Sequence, residues 1–236
     1  MYLYVIIFIQ MEKILFLVPT ADDNISLCNL IKFNKDMEFS IFNRRIKNDK
    51  PLLKFFIDCK KYVDNIEPDY IICMHDDLWL IDNNFSNKVK EAFEMFDYWG
   101  VAGTNMMLTS NPRWHIPIGS AKYLSGLMEH KSPDGLRFMT SFGPYPVPCS
   151  ILDGVFMAFK REVFEKLVDV PELNGFHMYD MEMCTQVWDM GYKGGVQGIH
   201  LYHESRGEGI RTGEWERLAK VYSKRWERYK IIGGKK

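Results

Sequence analysis

The sequence lacks the short motifs that mark several large enzyme classes. It contains no G-x-G-x-x-G, no phosphate-binding G-x-x-x-x-G-K and no G-x-S-x-G, so the main support for a dinucleotide oxidoreductase, a P-loop NTPase or an α/β-hydrolase is missing. There is no H-E-x-x-H either, which excludes the common zinc-protease pattern.

Cysteine is scarce and scattered. The number of cysteines is odd, and no two of them form a C-x-x-C pair. Structural zinc and a disulfide framework are therefore disfavoured, and reduced thiols in a cytoplasmic protein are the simplest interpretation. The five cysteines are Cys28, Cys59, Cys73, Cys149 and Cys184.

An excess of positive charge is missing as well. The chain carries 30 Lys and Arg against 31 Asp and Glu, a net charge of −1, so no broad basic surface is expected to hold a nucleic acid. Its 236 residues, 47% of them apolar and 26% charged, suit one soluble globular domain.

The apolar run at the N terminus is too short to cross a membrane. A transmembrane helix needs about 20 apolar residues, and polar residues interrupt this run well before that length. The basic start and cleavage site of a signal peptide are also missing. We therefore expect an extension at residues 1–10, one domain at 11–230 and no transmembrane segment. Peripheral membrane contact through Tyr2, Ile6 and Phe8 is the alternative.

Apolar patterning predicts alternating strands and helices. Strands are predicted at 13–18, 38–43, 69–74, 100–105 and 195–207. Helices are predicted at 51–66, 86–96, 179–191 and 213–230, and segment 153–168 is predicted to be a strand followed by a helix. This alternation is typical of an α/β fold with a mostly parallel sheet and helices on both faces. In such folds, ligands bind beyond the carboxyl ends of the strands.

Segment 106–150 interrupts the alternation. It is rich in Pro, Gly and Ser and shows no periodicity, yet it carries Trp114, His115, Tyr123 and His130. A loop this long in a compact domain is usually functional or disordered, and the aromatic residues argue against simple disorder. We therefore expect a long functional loop.

Two adjacent carboxylates, Asp76 and Asp77, follow the predicted strand at 69–74. Burying such charges at the end of a core strand is costly unless a partner neutralises them. A divalent cation shared with a diphosphate fits, because Mg²⁺ and Mn²⁺ prefer carboxylate oxygens and leave positions open for phosphate. A solvated turn, with Asp77 capping a short helix, is the alternative.

Asp180 and Glu182 form a second acidic pair near the start of a predicted helix. On a helix they lie about 200° apart and do not share a face, so Asp180 can point into a cleft while Glu182 meets another partner. The partial positive charge of the helix N terminus favours an ionised Asp180. The alternative is that both carboxylates only stabilise the helix, by complementing the partial positive charge of its N terminus.

Two histidines stand on the last predicted strand, and a glycine opens an earlier one. His203, at the rim of the sheet, is a candidate metal ligand as a neutral imidazole, whereas His200 is expected to be packed within the strand. Gly154, after Asp153, permits close approach to the backbone, and a tight turn is the alternative.

The order of the motifs is more specific than any one of them. The chain runs through "YIICMHDDLWLID", "WGVAGTN", "LDGVFMAFKREVFEKL", "GFHMYDMEMCTQVWDMG" and "IHLYHESRG". In this order the motifs, over about residues 69–227, resemble the family-2-like glycosyltransferases of the GT-A fold, and among these the StrF-like subgroup, described from streptomycin biosynthesis. The resemblance implies transfer of a sugar, with inversion, from a nucleotide-diphosphate donor to a hydroxyl of a glycan or other acceptor.

The resemblance also implies metal-binding and catalytic roles. "HDD" stands in place of the DxD motif, so Asp77 is expected to ligate Mn²⁺ or Mg²⁺, with Asp76 near the ribose and diphosphate of the donor. His203 matches a late metal or diphosphate ligand. "YDME" stands in place of E-D-x-D, so Asp180 is expected to act as general base and Glu182 as the second acid.

The donor site is predicted from the same resemblance. Asp153 and Gly154 fall where the acceptor meets the donor sugar. "PTADDN" replaces the usual "PVYN", and Thr20, Asp22 and Asn43 are the candidate nucleotide contacts. The implied donor is a UDP-sugar, with a GDP-sugar as the alternative.

Two other functions remain open from the sequence. A sugar-nucleotidyltransferase also combines an α/β sheet with acidic metal ligands, but it is expected to carry a Gly-rich, Arg- and Lys-containing loop after the first strand, which "PTADDN" lacks. A non-catalytic carbohydrate- or nucleotide-binding module would use segment 106–150 as a lectin-like surface.

Overall fold

The computed structural model describes residues 12–20, 40–116, 121–132, 134–204 and 213–234, with the side chains of 40–45 excepted. The predicted extension at 1–10 and the candidate Asp22 lie outside the described residues.

The described residues form fifteen strands and six α-helices. The strands are β1 Lys13–Thr20, β2 Ser40–Lys47, β3 Tyr70–Met74, β4 Leu78–Leu80, β5 Tyr98–Gly100, β6 Ala102–Thr104, β7 Met106–Leu108, β8 Leu124–Lys131, β9 Arg137–Gly143, β10 Val147–Pro148, β11 Ile151–Leu152, β12 Phe156–Lys160, β13 Gly194–Val196, β14 Leu201–His203 and β15 Ile231–Gly233. The helices are α1 Leu52–Asp58, α2 Lys60–Ile66, α3 Phe85–Met95, α4 Arg161–Phe164, α5 Tyr179–Asp189 and α6 Gly213–Arg225.

The predicted α/β fold with a mostly parallel sheet is confirmed. In the described part of the chain, the main sheet has seven strands in the order β10-β13-β5-β12-β3-β1-β2. Only β10 and β12 run against the other five. A second sheet has the order β11-β6-β8-β14-β4, with β9 paired to β8.

Helices cover both faces of the main sheet because its central strands are apolar on both sides. In β1, Leu15 and Leu17 pack into a core with α1, α2, α5 and α6, whereas Ile14 and Phe16 pack into another core with α3. Successive strand residues point to opposite faces. A continuous apolar run such as "KILFLV" is therefore what a strand buried on both faces requires.

Two predicted strands are each divided between the two sheets. The segment predicted at 100–105 becomes β5, which pairs with β12, and β6, which pairs with β8. The segment predicted at 195–207 likewise becomes β13 and β14. One predicted helix is also divided, because α1 and α2 meet at Cys59. Apolar patterning does not distinguish a chain that crosses between sheets from one long strand.

The prediction of a non-periodic loop over 106–150 is wrong for a large part of that segment. β8 and β9 form an antiparallel hairpin across residues 124–143. Most of the β9 side chains are at least partly exposed, so the hairpin does not bury the alternate residues that would mark a strand in the sequence. β7 pairs with β15 near the C terminus.

Among the described helices, none is long and apolar enough to span a membrane.

Candidate active site

The sheet topology brings two distant segments to one edge. β3 ends at Met74, and β12 runs antiparallel to it with Phe156 opposite that residue. The backbone N–H of His75 donates to the carbonyl of Val155 at 3.0 Å. As a result, the residues that follow β3 and those that precede β12 lie side by side.

The second sheet adds His203 to the same edge. β14 pairs antiparallel with β4 and places His203 opposite Leu78. The next residue, Glu204, donates its backbone N–H to the carbonyl of Asp77 at 3.0 Å. The structure thus brings together Asp77 and His203, the two candidate metal ligands from the sequence.

A third ligand, His75, completes a compact cluster. Ligand atoms of His75, Asp77 and His203 all lie within 4.8 Å of one another. The His203 Nε2 to Asp77 Oδ2 distance is 3.3 Å, and the His75 Nδ1 to Asp77 Oδ1 distance is 3.9 Å. Within the described part of the chain, the buried atoms Asp77 Oδ1 and His203 Nε2 have no hydrogen-bond partner. Buried polar atoms normally have partners, so a divalent cation between these groups fits the site.

The protonation states in the cluster suit metal binding. Burial alone would raise the pKa of Asp77, but the His203 and His75 imidazoles lower that pKa below its usual value. Burial lowers the pKa of His75, and Asp77 only partly offsets this effect. An ionised carboxylate and a neutral imidazole are the forms that ligate metals.

Asp180 lies on the first turn of α5, in a cleft that His75 also lines. Its Oδ2 accepts a hydrogen bond from the Gly154 N–H at 3.2 Å, and its Oδ1 accepts one from the Met181 N–H at 2.9 Å. Burial, and then the charge of Asp153, raise the pKa of Asp180 to about 7. Burial thus opposes the partial positive charge of the helix N terminus, which favours the ionised form of Asp180.

An unusual backbone conformation directs the start of α5 into the cleft. Met178 precedes the helix with φ of 68°, in the left-handed region, which non-glycine residues seldom adopt. Its side chain is buried, and the surrounding packing holds this conformation. Such strain is often found at functional sites, and here it orients Tyr179 and Asp180.

Aromatic residues form the outer wall of the cleft. Trp114, Phe176 and Trp215 line it together with Asp153 and Asp180. The Arg113 guanidinium stacks over the Trp215 ring at 4.8 Å. Flat aromatic faces and charged groups in one cleft suit a polar ligand with apolar faces, as a sugar has.

Three site residues were not assigned a role from the sequence. They come from separate segments, and only the fold places His75, Arg113 and Trp215 together. For His75, the sequence did contain a signal, because it stands two residues before Asp77 at the end of a core strand.

Glu182 faces away from the cleft. It is fully buried, and its carboxylate accepts hydrogen bonds from Arg225 Nε at 2.8 Å, Trp226 Nε1 at 2.7 Å and Gln186 Nε2 at 2.9 Å. These partners join α5 to the end of α6. The structure thus separates Glu182 from Asp180, as the helical geometry predicted.

We expect Glu182→Ala to lower the free energy of unfolding by about 3 kcal/mol, because the Trp226 indole N–H and one N–H of Gln186 lose their acceptor. Urea denaturation measures the change. Glu172 is exposed, so Glu172→Ala is the matched control, with an expected change within about 0.5 kcal/mol. Equal stabilities of the two variants would contradict the structural role of Glu182.

The described candidate contacts of the donor lie at different distances from the carboxyl edge of the main sheet. Thr20 is buried at the carboxyl end of β1, beside Lys47 of β2. Asn43 lies within β2, where it pairs with Phe16 of β1. The Asn43 backbone is therefore farther than Thr20 from the edge of the sheet where the strands end. Asp76 is half-buried in the turn between β3 and β4.

The raised pKa of Asp180 predicts a pH-dependent stability. The folded protein, with a pKa of about 7 at Asp180 against an ordinary value of 3.8, keeps a proton that the unfolded chain releases between these values. The stability of the wild type relative to Asp180→Asn is therefore expected to be greatest below about pH 4 and to fall as the pH rises to about 7. Urea denaturation of both proteins across this range measures it, and a constant difference would contradict the raised pKa.

Comparisons with known proteins add little to this geometry. No protein-family model matches the chain. A protein of Fuscovulum blasticum, described as ATP synthase subunits region ORF 6, is 26% identical over 168 residues. The match covers 68% of this chain and 60% of that protein. The chain thus spans less than two thirds of this relative, whose name states no activity.

Three solved structures are weakly similar to this chain, each with a TM-score below 0.5. A197 from STIV is 14% identical, with a TM-score of 0.45, over 83% of this chain and 86% of that one. GalNAc-T7, solved with UDP, GalNAc and Mn²⁺, is 15% identical, with a TM-score of 0.44. The match covers 78% of this chain and 36% of GalNAc-T7. CMP:2-keto-3-deoxy-manno-octonic acid synthetase, solved with CTP, is 12% identical, with a TM-score of 0.34. The match covers 81% of this chain and 74% of the synthetase. Similarities this weak assign no activity to this chain.

Proposed function

We propose that the protein is a metal-dependent inverting glycosyltransferase of the GT-A fold, related to the StrF-like subgroup. The observation that supports this most directly is a cluster of metal-ligating side chains that borders the cleft holding the Asp180 carboxylate. His75 belongs to the cluster and also lines the cleft of Asp180. A donor held at the cluster would therefore present its sugar to an acceptor beside Asp180.

His75, Asp77 and His203 would hold the cation, which supplies positive charge next to the donor diphosphate. Two of the three ligands are imidazoles. Mg²⁺ strongly prefers oxygen ligands, whereas imidazole suits transition metals better. The composition of the cluster therefore favours Mn²⁺ over Mg²⁺.

Asp180 would act on the acceptor. Its carboxylate takes the proton of the acceptor hydroxyl as the hydroxyl oxygen forms a bond to the anomeric carbon of the donor sugar. The bond from that carbon to the diphosphate oxygen breaks, and the nucleoside diphosphate leaves. A pKa of about 7 lets Asp180 hold this proton near neutral pH. Attack from the face opposite the leaving group inverts the anomeric centre.

The remaining assignments belong to the same proposal. Asp76, Asp153, Gly154, Thr20 and Asn43 are the proposed contacts of a UDP-sugar donor. The aromatic wall would hold a glycan or another acceptor with a hydroxyl group. We further propose one catalytic domain over residues 11–230 and a cytoplasmic location.

Isothermal titration calorimetry with UDP tests the function. UDP is expected to bind more tightly with Mn²⁺ than with EDTA, because the cation offsets the charge of the diphosphate, and Mg²⁺ is expected to have a smaller effect. Slow hydrolysis of a UDP-sugar to free sugar and UDP, with the same metal dependence, would support transfer chemistry. Equal UDP affinity in Mn²⁺ and in EDTA would contradict the proposal, and metal-independent binding of free glycans would indicate a lectin-like module.

A further inference from the structure

Tyr179 connects the metal cluster to the acceptor cleft. Its side chain is buried, with 4% of its surface exposed. Its hydroxyl lies 2.8 Å from Nε2 of His75 and 2.8 Å from the carbonyl oxygen of Gly154. Both distances are those of good hydrogen bonds.

The chemistry of the three groups fixes the direction of both bonds. A carbonyl oxygen only accepts, and a tyrosine hydroxyl has one proton to donate. The hydroxyl of Tyr179 therefore donates to Gly154 and accepts from Nε2 of His75. A neutral imidazole carries one N–H, so with the proton on Nε2 the other nitrogen, Nδ1, has a free lone pair. That nitrogen faces Asp77 Oδ1 at 3.9 Å.

We propose that Tyr179 is a positioning residue that holds His75 in the Nε2-protonated tautomer and so makes Nδ1 the metal-ligating atom. The proposal rests on the metal site of the proposed function. Partners that orient a ligating histidine in this way commonly change metal affinity by about 10–100-fold when they are lost.

The same hydroxyl also holds the peptide that contacts the candidate base. Gly154 accepts from Tyr179 through its carbonyl and donates to Asp180 through its N–H. A side chain at this position would clash with the Tyr179 hydroxyl, so the close contact depends on glycine. His75, Tyr179, Gly154 and Asp180 thus form one hydrogen-bonded chain from the cluster to the cleft.

Tyr179→Phe removes the hydroxyl and keeps the ring, and Tyr98→Phe is its matched control. The Tyr98 hydroxyl is also buried and donates to a backbone carbonyl, that of Ser150, at 2.9 Å. We expect Mn²⁺ affinity, measured by calorimetry, to fall about 10–100-fold in Tyr179→Phe and to stay at the wild-type level in Tyr98→Phe. ¹⁵N NMR of the metal-free proteins should find His75 protonated at Nε2 in the wild type and in mixed tautomers in Tyr179→Phe.

The outcomes separate this proposal from the function it rests on. Equal Mn²⁺ affinity of the wild type and Tyr179→Phe, or a wild-type His75 protonated at Nδ1, overturns the role of Tyr179 alone. A wild-type protein that binds no Mn²⁺, with or without UDP, overturns the metal-dependent function and the role of Tyr179 with it.

Discussion

Asp180→Asn is expected to reduce glycosyl transfer by about 10²–10⁴-fold, the usual cost of losing a general base, while Mn²⁺-dependent UDP binding stays nearly unchanged. The amide has nearly the same shape as the carboxyl group but cannot take a proton from the acceptor. Its single amide oxygen can replace only one of the two carboxylate oxygens that accept from Gly154 and Met181, so the UDP titration also checks that the site remains folded. Turnover with a UDP-sugar and a verified acceptor measures the first effect, and calorimetry measures the second.

Asp64→Asn is the control for this substitution. Asp64 is exposed, so its replacement is expected to leave the rate of transfer unchanged. Near wild-type turnover of Asp180→Asn would contradict the role of Asp180 as base. A complete loss of UDP affinity would instead make Asp180 a metal-binding or structural residue. The base would then have to be sought at Asp153, which lines the same cleft.

Asp77→Ala is expected to abolish the gain in UDP affinity that Mn²⁺ provides. Among the described residues, Asp77 supplies the one carboxylate of the cluster with His75 and His203, so its loss removes negative charge that attracts the cation. His203→Ala is expected to weaken Mn²⁺ binding as well, because one of the two nitrogen ligands is lost. Calorimetric titration of UDP into each variant, with Mn²⁺ and with EDTA, measures both effects.

The stability of metal-free Asp77→Ala distinguishes a metal ligand from a structural residue. Among the described residues, Asp77 Oδ1 has no hydrogen-bond partner, so removing the side chain is expected to cost little stability in the metal-free protein. We expect the free energy of unfolding in EDTA to stay within about 1 kcal/mol of the wild type or to rise. A large loss of stability in EDTA, with unchanged Mn²⁺-dependent UDP binding, would make Asp77 a structural residue instead.

The chain's local pattern was enough to predict the class of the fold. The apolar runs of β1 and β3, and the helical spacing of apolar residues in α3, are local features that the sequence displays directly. The position of Asp76 and Asp77 at a strand end followed from the same pattern, because a buried run that breaks into charges has reached the edge of the core.

The hairpin of β8 and β9 could not be predicted in this way. The exposure of β9 removes the alternation that marks a half-buried strand. The same limit applies to the strands divided between sheets, since a residue's strand partner is not encoded in the run of apolar residues around it.

The sequence by itself determined the α/β alternation, the carboxylates after β3 and the opposite faces of Asp180 and Glu182. Only the tertiary structure decided that His75 joins Asp77 and His203, that Tyr179 lies between His75 and Gly154, and that Glu182 serves the packing of α5 on α6. Local patterns follow from the chain's own geometry, with side chains repeating along a strand or helix. Contacts between distant residues depend on strand order and register, which emerge only when the whole core is packed.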